Sequence, residues 1–262
     1  MMNGTTGTGD WGRRLSWVAL ALSFGGLAAA LVSAAGSGAE LWTFRIGFTI
    51  LRYAFYAAIA GGVLAIIAFV MARRSGARTG RLNLVALVIA ASFVAYLMSH
   101  VATARSVPAI HDATTDLVDV PQFATLTVRT DNLEDIPDDG RPELAALDPE
   151  NRWKAIHRDA YGDLRAIRLP QPPAVVVQRA EALVRESGWE IARVDREAGI
   201  VEATATTLFF RFKDDVVVRV RPDPARPGGS IVDMRSISRV GGSDIGVNAA
   251  RIREFLAELQ AT

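Results

Sequence analysis

The stretch that decides the fold of the C-terminal half is Met234–Leu259, with the sequence MRSISRVGGSDIGVNAARIREFLAEL. Its first residues, up to Val240, are interpreted as the end of the last strand of a sheet. Gly241-Gly242 then predicts a tight turn, and Ser243 or Asp244 is a typical helix cap. The helix that follows has one apolar side, formed by Ile245, Ala249, Ile252, Phe255, Leu256 and Leu259. We therefore expect the strand to close a sheet and the helix to seal its core.

Upstream of this stretch, the pattern predicts one more helix and three more strands. Pro172-Pro173 can start a helix, and Gly188 can end it. The four strands are expected at Trp189–Val194, Ile200–Phe209, Asp215–Arg221 and Ile231–Val240. In the second of them, the side chains expected to face the core are Val201, Ala203, Ala205 and Phe209. Residues 171–262 thus form an α+β domain, an antiparallel four-stranded sheet with two helices on one face.

Residues 105–170 are expected to form an irregular connecting segment. The segment is rich in proline and carries the acidic runs Asp131–Asp135 and Asp138-Asp139. It also contains apolar anchors, namely Phe123, Trp153, Ile156, Tyr161, Leu164 and Ile167, which a disordered tether would lack. We therefore expect it to pack in part on the next domain, with a short helix around Pro149–Arg158.

Residues 1–104 are predicted to be a three-span transmembrane anchor. Three runs lack Lys, Arg, Asp and Glu: Leu15–Val32, Tyr53–Ala72 and Leu82–Ala104. A helix needs about 20 apolar residues to cross a hydrocarbon core roughly 30 Å thick, so all three runs qualify. The first run, with an arginine pair before it and small residues after it, also fits a cleaved signal peptide. Two further spans at short intervals favour a bundle of three helices.

The charges predict the orientation of these spans. Residues 1–102 carry eight arginines and two acidic residues, which leaves 21 of the 29 basic and 26 of the 28 acidic residues for the remainder. The densest basic cluster, Arg73, Arg74, Arg78 and Arg81, lies between the second and third spans. The positive-inside rule then places the N-terminus in the cytoplasm and the C-terminal domain in the periplasm of a cell inner membrane. The bilayer is thus one partner, and the acidic soluble part argues against nucleic acid.

Several kinds of chemistry are excluded or disfavoured by residues that the sequence lacks. The chain has no cysteine, so it has no disulfides, thiolate metal sites or cysteine nucleophiles. No histidine follows His157, which excludes a Ser-His-Asp triad confined to the C-terminal domain. No glycine-rich nucleotide loop of the usual kinds is present. We therefore expect no cofactor.

Four segments carry a resemblance to a known family. They are TATT (Thr204–Thr207), FKDDVVVRV (Phe212–Val220), RSISRVG (Arg235–Gly241) and SDIGVNAARI (Ser243–Ile252). Together they strongly resemble the family called domain of unknown function 1499, and His111–Asp116 is similar to its opening motif, with Ala113 where isoleucine is more usual. The resemblance spans roughly Ile110–Leu259. It implies an envelope-facing membrane protein and assigns no catalytic residue.

Two acidic groups are candidates for chemistry. His111, Asp112 and Asp116 could supply mixed nitrogen and oxygen ligands to a metal, or could make turns and caps outside the bilayer. Asp214 and Asp215 could form an acid/base pair, but neighbours in a strand point to opposite faces. A turn in which they pair with Lys213 or Arg211 is the alternative.

A third candidate lies where the last strand meets the last helix. Arg235 and Arg239 approach a helix N-terminus, which is a plausible anion site. Ser243 and Asp244, as caps, could instead fill that site, with an internal Arg–Asp bond, and Asn248 could join either arrangement. The outward sheet face, with Asp215 among its charged residues, is either solvated or a polar surface on which another envelope protein or the C-terminus of the connecting segment docks. The other members of that face are Glu202, Arg219, Arg221, Asp233 and Arg235.

These observations favour a non-enzymatic inner-membrane protein. Its periplasmic domain would bind another envelope protein or a small anionic ligand. The first alternative is a hydrolase-like envelope enzyme that uses Asp214 and Asp215 or the His111–Asp116 cluster. The second is a lipid-handling protein with a pocket that opens toward the bilayer.

Overall fold

The computed structural model describes residues 6–261, which divide into two compact units. The helical unit contains the residues up to Ala102 together with Leu208–Arg211. The α+β unit contains Thr103–Thr207 and the chain from Phe212 onward.

The helical unit is built from three long helices. They are α1 (Thr6–Gly38), α2 (Phe44–Ser75) and α3 (Gly80–Ser106). Each is long and apolar enough to cross a membrane, which confirms the three predicted spans. The chain is therefore a membrane protein whose apolar helices contact lipid.

Glycines let α1 and α2 approach closely. A Cβ atom at Gly61 would lie 2.7 Å from the backbone nitrogen of Ser23, and one at Gly26 would lie 2.7 Å from the carbonyl oxygen of Ala54. Only a residue without a side chain fits at such contacts. These glycines of the spans therefore act in helix packing.

The α+β unit contains four helices and six strands. The helices are α4 (Pro142–Ala145), α5 (Pro149–Tyr161), α6 (Pro173–Glu186) and α7 (Val247–Ala261). The strands are β1 (Asp112–Thr114), β2 (Ile167–Leu169), β3 (Glu190–Asp195), β4 (Ile200–Thr206), β5 (Lys213–Pro222) and β6 (Ser230–Ser238). The sheet is antiparallel in the order β1-β6-β5-β4-β3, and β2 also pairs with β6. The α+β class is confirmed, but the prediction of four strands misses β1 and β2.

One face of the sheet forms the core with α6 and α7. Val216, Val218 and Met234 are fully buried there, against Val176 of α6 and Ile252 of α7. The period of two in the strands and the apolar side of each helix bring these residues together. Burial of this apolar surface is the main force that stabilises the unit.

The opposite face of the sheet is covered, so the expectation of a solvated face is wrong. Residues 115–126, near the start of the predicted connecting segment and not at its C-terminus, lie across it and bond to Glu202, Arg219 and Arg235. These three side chains point away from α6 and α7 because of their strand register. The sheet therefore lies between a helical layer and a layer of irregular chain.

Two of the predicted element boundaries misplace an apolar side chain. β4 ends at Thr206, so Phe209 lies in the loop before β5 and not in the core. α7 begins at Val247, and Ile245 precedes it with a φ of +51°, outside the helix. Apolar side chains beyond an element's end extend its pattern, which hides the true boundary.

Candidate functional site

Arg235 and Asp112 form a buried ion pair on the covered face of the sheet. Nε of Arg235 donates to Oδ1 of Asp112 at 3.0 Å, and Nη2 donates to Oδ2 at 2.7 Å. Both side chains are almost completely buried. The pair arises because β1 lies beside β6, with Thr114 opposite Arg235. A bidentate pair of this kind fixes both the position and the orientation of its members.

Asn132 extends this ion pair to His111. Its amide nitrogen donates to Oδ2 of Asp112 at 2.8 Å, and its oxygen lies 3.1 Å from Nε2 of His111. The ring of Phe123 covers the guanidinium of Arg235, 5.9 Å from the ring centre. Asp112 and Phe123 thus contact Arg235 directly, and Asn132 and His111 extend the network from Asp112.

Arg239 forms a second ion pair, with Asp215. Its Nε and Nη2 donate to the two carboxylate oxygens at 2.9 and 2.8 Å, and Nη2 also donates to Oγ1 of Thr204 at 3.0 Å. The bond to Asp215 raises the pKa of Arg239. Two internal Arg–Asp bonds therefore occupy the two arginines that the sequence offers as anion-binding groups.

Asp214 lies on the opposite face of the sheet from Asp215, as the strand geometry predicts. Its carboxylate accepts a bond from Nη2 of Arg251 at 2.6 Å, so the expected pair with Lys213 or Arg211 is wrong. Arg251 also bonds to Ser236 and to Asn248 under α7. Since the two carboxylates are separated by the sheet, they cannot act on one substrate atom as an acid/base pair.

Asn248 connects α7 to both neighbouring strands. Its Oδ1 accepts from Oγ of Ser236 at 2.6 Å, and its Nδ2 donates to the backbone oxygen of His111 at 3.0 Å and to Oγ of Ser238 at 2.9 Å. Every donor and acceptor of this fully buried amide is used. Asn248 therefore holds the end of β6, the start of β1 and the first turn of α7 together.

Asp244 fills the position at the start of α7 where an anion would bind. Its two oxygens accept from the backbone nitrogens of Gly246 at 2.9 Å and Asn248 at 2.6 Å. Burial raises the pKa of this carboxyl, and the two backbone bonds act in the opposite direction. Ser243 makes a separate bond, in which its Oγ accepts from the nitrogen of Ile245 at 3.1 Å. The helix terminus is thus capped by the chain itself.

Asp116 lies apart from His111 and makes a turn. One of its oxygens accepts from the backbone nitrogens of Val118 and Asp119, both at 2.9 Å. Its other oxygen lies 3.8 Å from Arg219. Within residues 6–261 no three metal-ligating side chains lie together, so the geometry gives the metal alternative for His111, Asp112 and Asp116 no support.

Glu202, which the sequence assigns only to the outward sheet face, anchors the chain that covers this face. Its fully buried carboxylate accepts from the backbone nitrogens of Ala124 at 2.6 Å, Thr125 at 3.0 Å and Leu126 at 2.8 Å. A carboxylate with several backbone donors is well stabilised without a cation. A charged residue between apolar neighbours in a central strand is the one signal that could indicate such an anchor.

His157 is a group that the sequence analysis misses, on the side of α5 that meets β1. Its Nε2 accepts from the backbone nitrogen of Thr114 at 3.0 Å, whereas its Nδ1 has no partner among the described residues. Burial lowers the pKa of His157 to about 4. Trp153, one turn earlier, donates from Nε1 to the backbone oxygen of Asp112 at 3.0 Å. A neutral imidazole therefore holds β1 in place.

An open groove of about 710 Å³ lies on the surface of the α+β unit, beside the start of α5. Leu133, Ile136 and Pro149 supply its apolar surface. The acidic residues around it are Glu134, Asp135, Asp148 and Glu150. Arg152, its one cation, donates to backbone oxygens of Leu144, Ile136, Ala145 and Leu147. The groove therefore presents negative charge around an apolar surface.

Comparison with known families gives a match to most of the α+β unit. Residues 112–259, 148 of the 262, match the family model described as protein of unknown function (DUF1499). The matched region begins at β1 and ends in α7, so it includes Arg235, Asn248 and their partners except His111. No curated protein matches the chain. The resemblance drawn from the motifs is thereby confirmed, and the chain belongs to the DUF1499 family of proteins of unknown function.

Proposed function

We propose that this chain is an inner-membrane protein that displays its α+β unit in the periplasm, where the unit binds another envelope protein. The orientation rests on the arginines of the first 102 residues. Arg73, Arg74, Arg78 and Arg81 lie at the short connection between α2 and α3, and cytoplasmic connections carry such clusters. An odd number of crossings then puts the α+β unit on the outer side.

The observation that carries the binding role is the contrast between the paired arginines and the unpaired carboxylates. Arg235 and Arg239 already bond to Asp112 and Asp215, so a small anion would have to displace a carboxylate at either one. The groove beside α5, in contrast, carries Glu134 and Asp135, which form no ion pair with any residue in the range 6–261. A protein surface with basic and apolar side chains is complementary to that groove.

The hydrolase alternative is less well supported by this geometry. Asp214 and Asp215 lie on opposite faces of the sheet, each in contact with an arginine. His111 and Asp112 are buried in bonds to the rest of the unit, away from any substrate. An activity that Asp215→Asn abolishes without unfolding the chain would revive this alternative.

Photo-crosslinking in cells tests the binding role. A photoreactive residue at Glu134 reports on the groove, and one at Glu186, an exposed glutamate on α6, serves as the matched control. We expect a discrete adduct with one envelope protein at position 134 and none at 186. Equal adducts at both positions, or none at 134, would contradict the proposal.

A further inference from the structure

Four arginines lie close together in sequence at the connection between α2 and α3, namely Arg73, Arg74, Arg78 and Arg81. All four are exposed. None of them forms an ion pair or a hydrogen bond with a side chain that the structure describes. In the α+β unit, by contrast, Arg253 bonds to Asp163 although 42% of its side chain is exposed. The connection therefore carries four guanidinium groups whose donors are available to an anion from outside the chain.

The ring of Phe69 brings one of these arginines beside the first residue of α3. The centre of this ring lies 5.2 Å from Cζ of Arg73, which belongs to the last turn of α2. A Cβ atom at Gly80, where α3 begins, would lie 3.8 Å from Cε2 of the same ring. Phe69 therefore holds the basic end of α2 close to the N-terminus of α3.

The N-terminus of α3 lacks a capping side chain among the described residues. The hydroxyl of Thr79, the residue before the helix, is buried and has no partner there, and the first turn carries no acidic residue. The first N–H groups of a helix have no partner within the helix and carry partial positive charge, which favours an anion. At the start of α7 the carboxylate of Asp244 supplies that anion, whereas no described side chain supplies one at the start of α3.

Asn83 is a second polar group without a partner at this end of α3. It is 1% exposed, and neither its amide nitrogen nor its amide oxygen has a partner in the range 6–261. Buried polar groups of folded chains are almost always hydrogen-bonded. Asn83 therefore indicates that polar atoms from outside the chain, those of a headgroup or of its hydration water, are present at this helix end.

The same two helix ends present apolar side chains that fit the acyl chains of a lipid. Within about two turns of Arg73 and Arg81, six large apolar residues are about half exposed: Ile66, Ile67 and Val70 on α2, and Leu84, Val85 and Val88 on α3. Arginines at the end of a membrane span reach the lipid phosphates, while the apolar residues before them contact acyl chains. A phosphate that carries acyl chains therefore matches this surface better than a free phosphate does.

We propose that the connection between α2 and α3 binds an anionic phospholipid, whose phosphate lies at the N-terminus of α3. The first N–H groups of α3 and the guanidinium groups of Arg78 and Arg81 contact the phosphate oxygens, since arginine binds phosphate through two parallel N–H bonds. Arg73 and Arg74 add positive potential from the last turn of α2. This lipid site lies wholly within the helical unit, and it is independent of the groove beside α5 and of the orientation of the spans.

Native mass spectrometry of the full-length chain in detergent tests this proposal. Phosphatidylglycerol and phosphatidylcholine with the same acyl chains are added in equal amounts, and the two lipids that remain bound are counted. The test variant combines Arg78→Gln with Arg81→Gln. The control variant combines Arg45→Gln with Arg52→Gln, which removes two exposed arginines that lie about two turns apart on α2. Each sample is also measured with inorganic phosphate and with chloride at the same ionic strength.

We expect the unaltered chain to retain phosphatidylglycerol in preference to phosphatidylcholine, and the control variant to keep that preference. The test variant should weaken it by roughly 30-fold, since each arginine near an anionic headgroup contributes about 1 kcal/mol. Inorganic phosphate should release no more lipid than chloride does.

Equal retention of both lipids by the unaltered chain would overturn the proposal, and this comparison decides even if a variant fails to fold. An equal loss of preference in the two variants would also overturn it, because arginines anywhere on the spans would then suffice. Release of the lipid by inorganic phosphate but not by chloride would assign the site to a free anion and would exclude the phospholipid as its occupant.

Discussion

Replacing Arg235 with methionine should lower the free energy of unfolding of the α+β unit by about 3–5 kcal/mol. Methionine keeps much of the apolar stem but removes the two donors to Asp112, which is buried and retains only Asn132 as a side-chain partner. A buried carboxylate without its cation is strongly destabilising. Combining Arg235→Met with Asp112→Asn should recover about 2 kcal/mol of that loss, since no charge is then buried unpaired.

Arg253 provides a matched control. It bonds to Asp163 with the same bidentate geometry, at 2.5 and 2.8 Å, but both side chains are about half exposed. Arg253→Met should therefore cost at most about 1 kcal/mol. Comparing Arg235→Met with Arg253→Met separates the effect of burial on the free energy of unfolding from the effect of hydrogen-bond geometry.

Urea titration of the detergent-solubilised full-length chain, followed by brief proteolysis, measures these free energies. The amount of a protease-resistant fragment from the α+β unit gives the fraction of folded chain at each urea concentration. The reasoning is refuted if Arg235→Met and Arg253→Met lower the free energy of unfolding equally. It is also refuted if Asp112→Asn fails to rescue Arg235→Met.

Further predictions concern His157, Glu202 and Gly199. Because the pKa of His157 is about 4 in the folded chain, the unfolded chain binds a proton at higher pH than the folded chain does. The contribution of the neutral His157 to the free energy of unfolding is therefore complete above pH 6.5 and falls by about 3 kcal/mol as the pH drops to 4. His157→Gln should remove this pH-dependent component from urea titrations. Glu202→Gln should lower the free energy of unfolding by about 1–3 kcal/mol. It should also accelerate hydrogen exchange at the amides of Ala124–Leu126, which donate to the Glu202 carboxylate. Unchanged exchange at these amides would contradict the anchoring role of Glu202. Gly199→Ala should lower the melting temperature more than Gly228→Ala does. Both glycines have a positive φ, but only at Gly199 would the new Cβ lie 2.1 Å from a backbone oxygen of β5. Equal shifts in the melting temperature would refute this steric account.

The strands and helices that the sequence predicts are those that are long enough to show one apolar face. β4 and β5 alternate because α6 and α7 pack against one face of each, and Gly188, just after α6, has a φ of +71°. β1 and β2 have three residues each, too few for a period of two to be recognised. They exist because β6 offers them unpaired backbone groups.

The candidate site is only partly predictable for a related reason. The opposite orientation of Asp214 and Asp215 follows from strand geometry alone, and so does the capping role of Asp244. The partners of Arg235 and Glu202 do not, because they lie in a segment more than 70 residues away in sequence. Local periodicity carries no information on which irregular chain covers a sheet face.

Cysteine accessibility in intact cells tests the central claim, that the α+β unit faces the periplasm. The chain lacks cysteine, so Val118→Cys marks the α+β unit and Ser75→Cys marks the connection between α2 and α3. Both positions are exposed, and a maleimide that cannot cross the inner membrane is the reagent. We predict labelling at 118 in intact cells and at 75 only after the inner membrane is permeabilised. Labelling at 75 but not at 118 in intact cells would contradict the account.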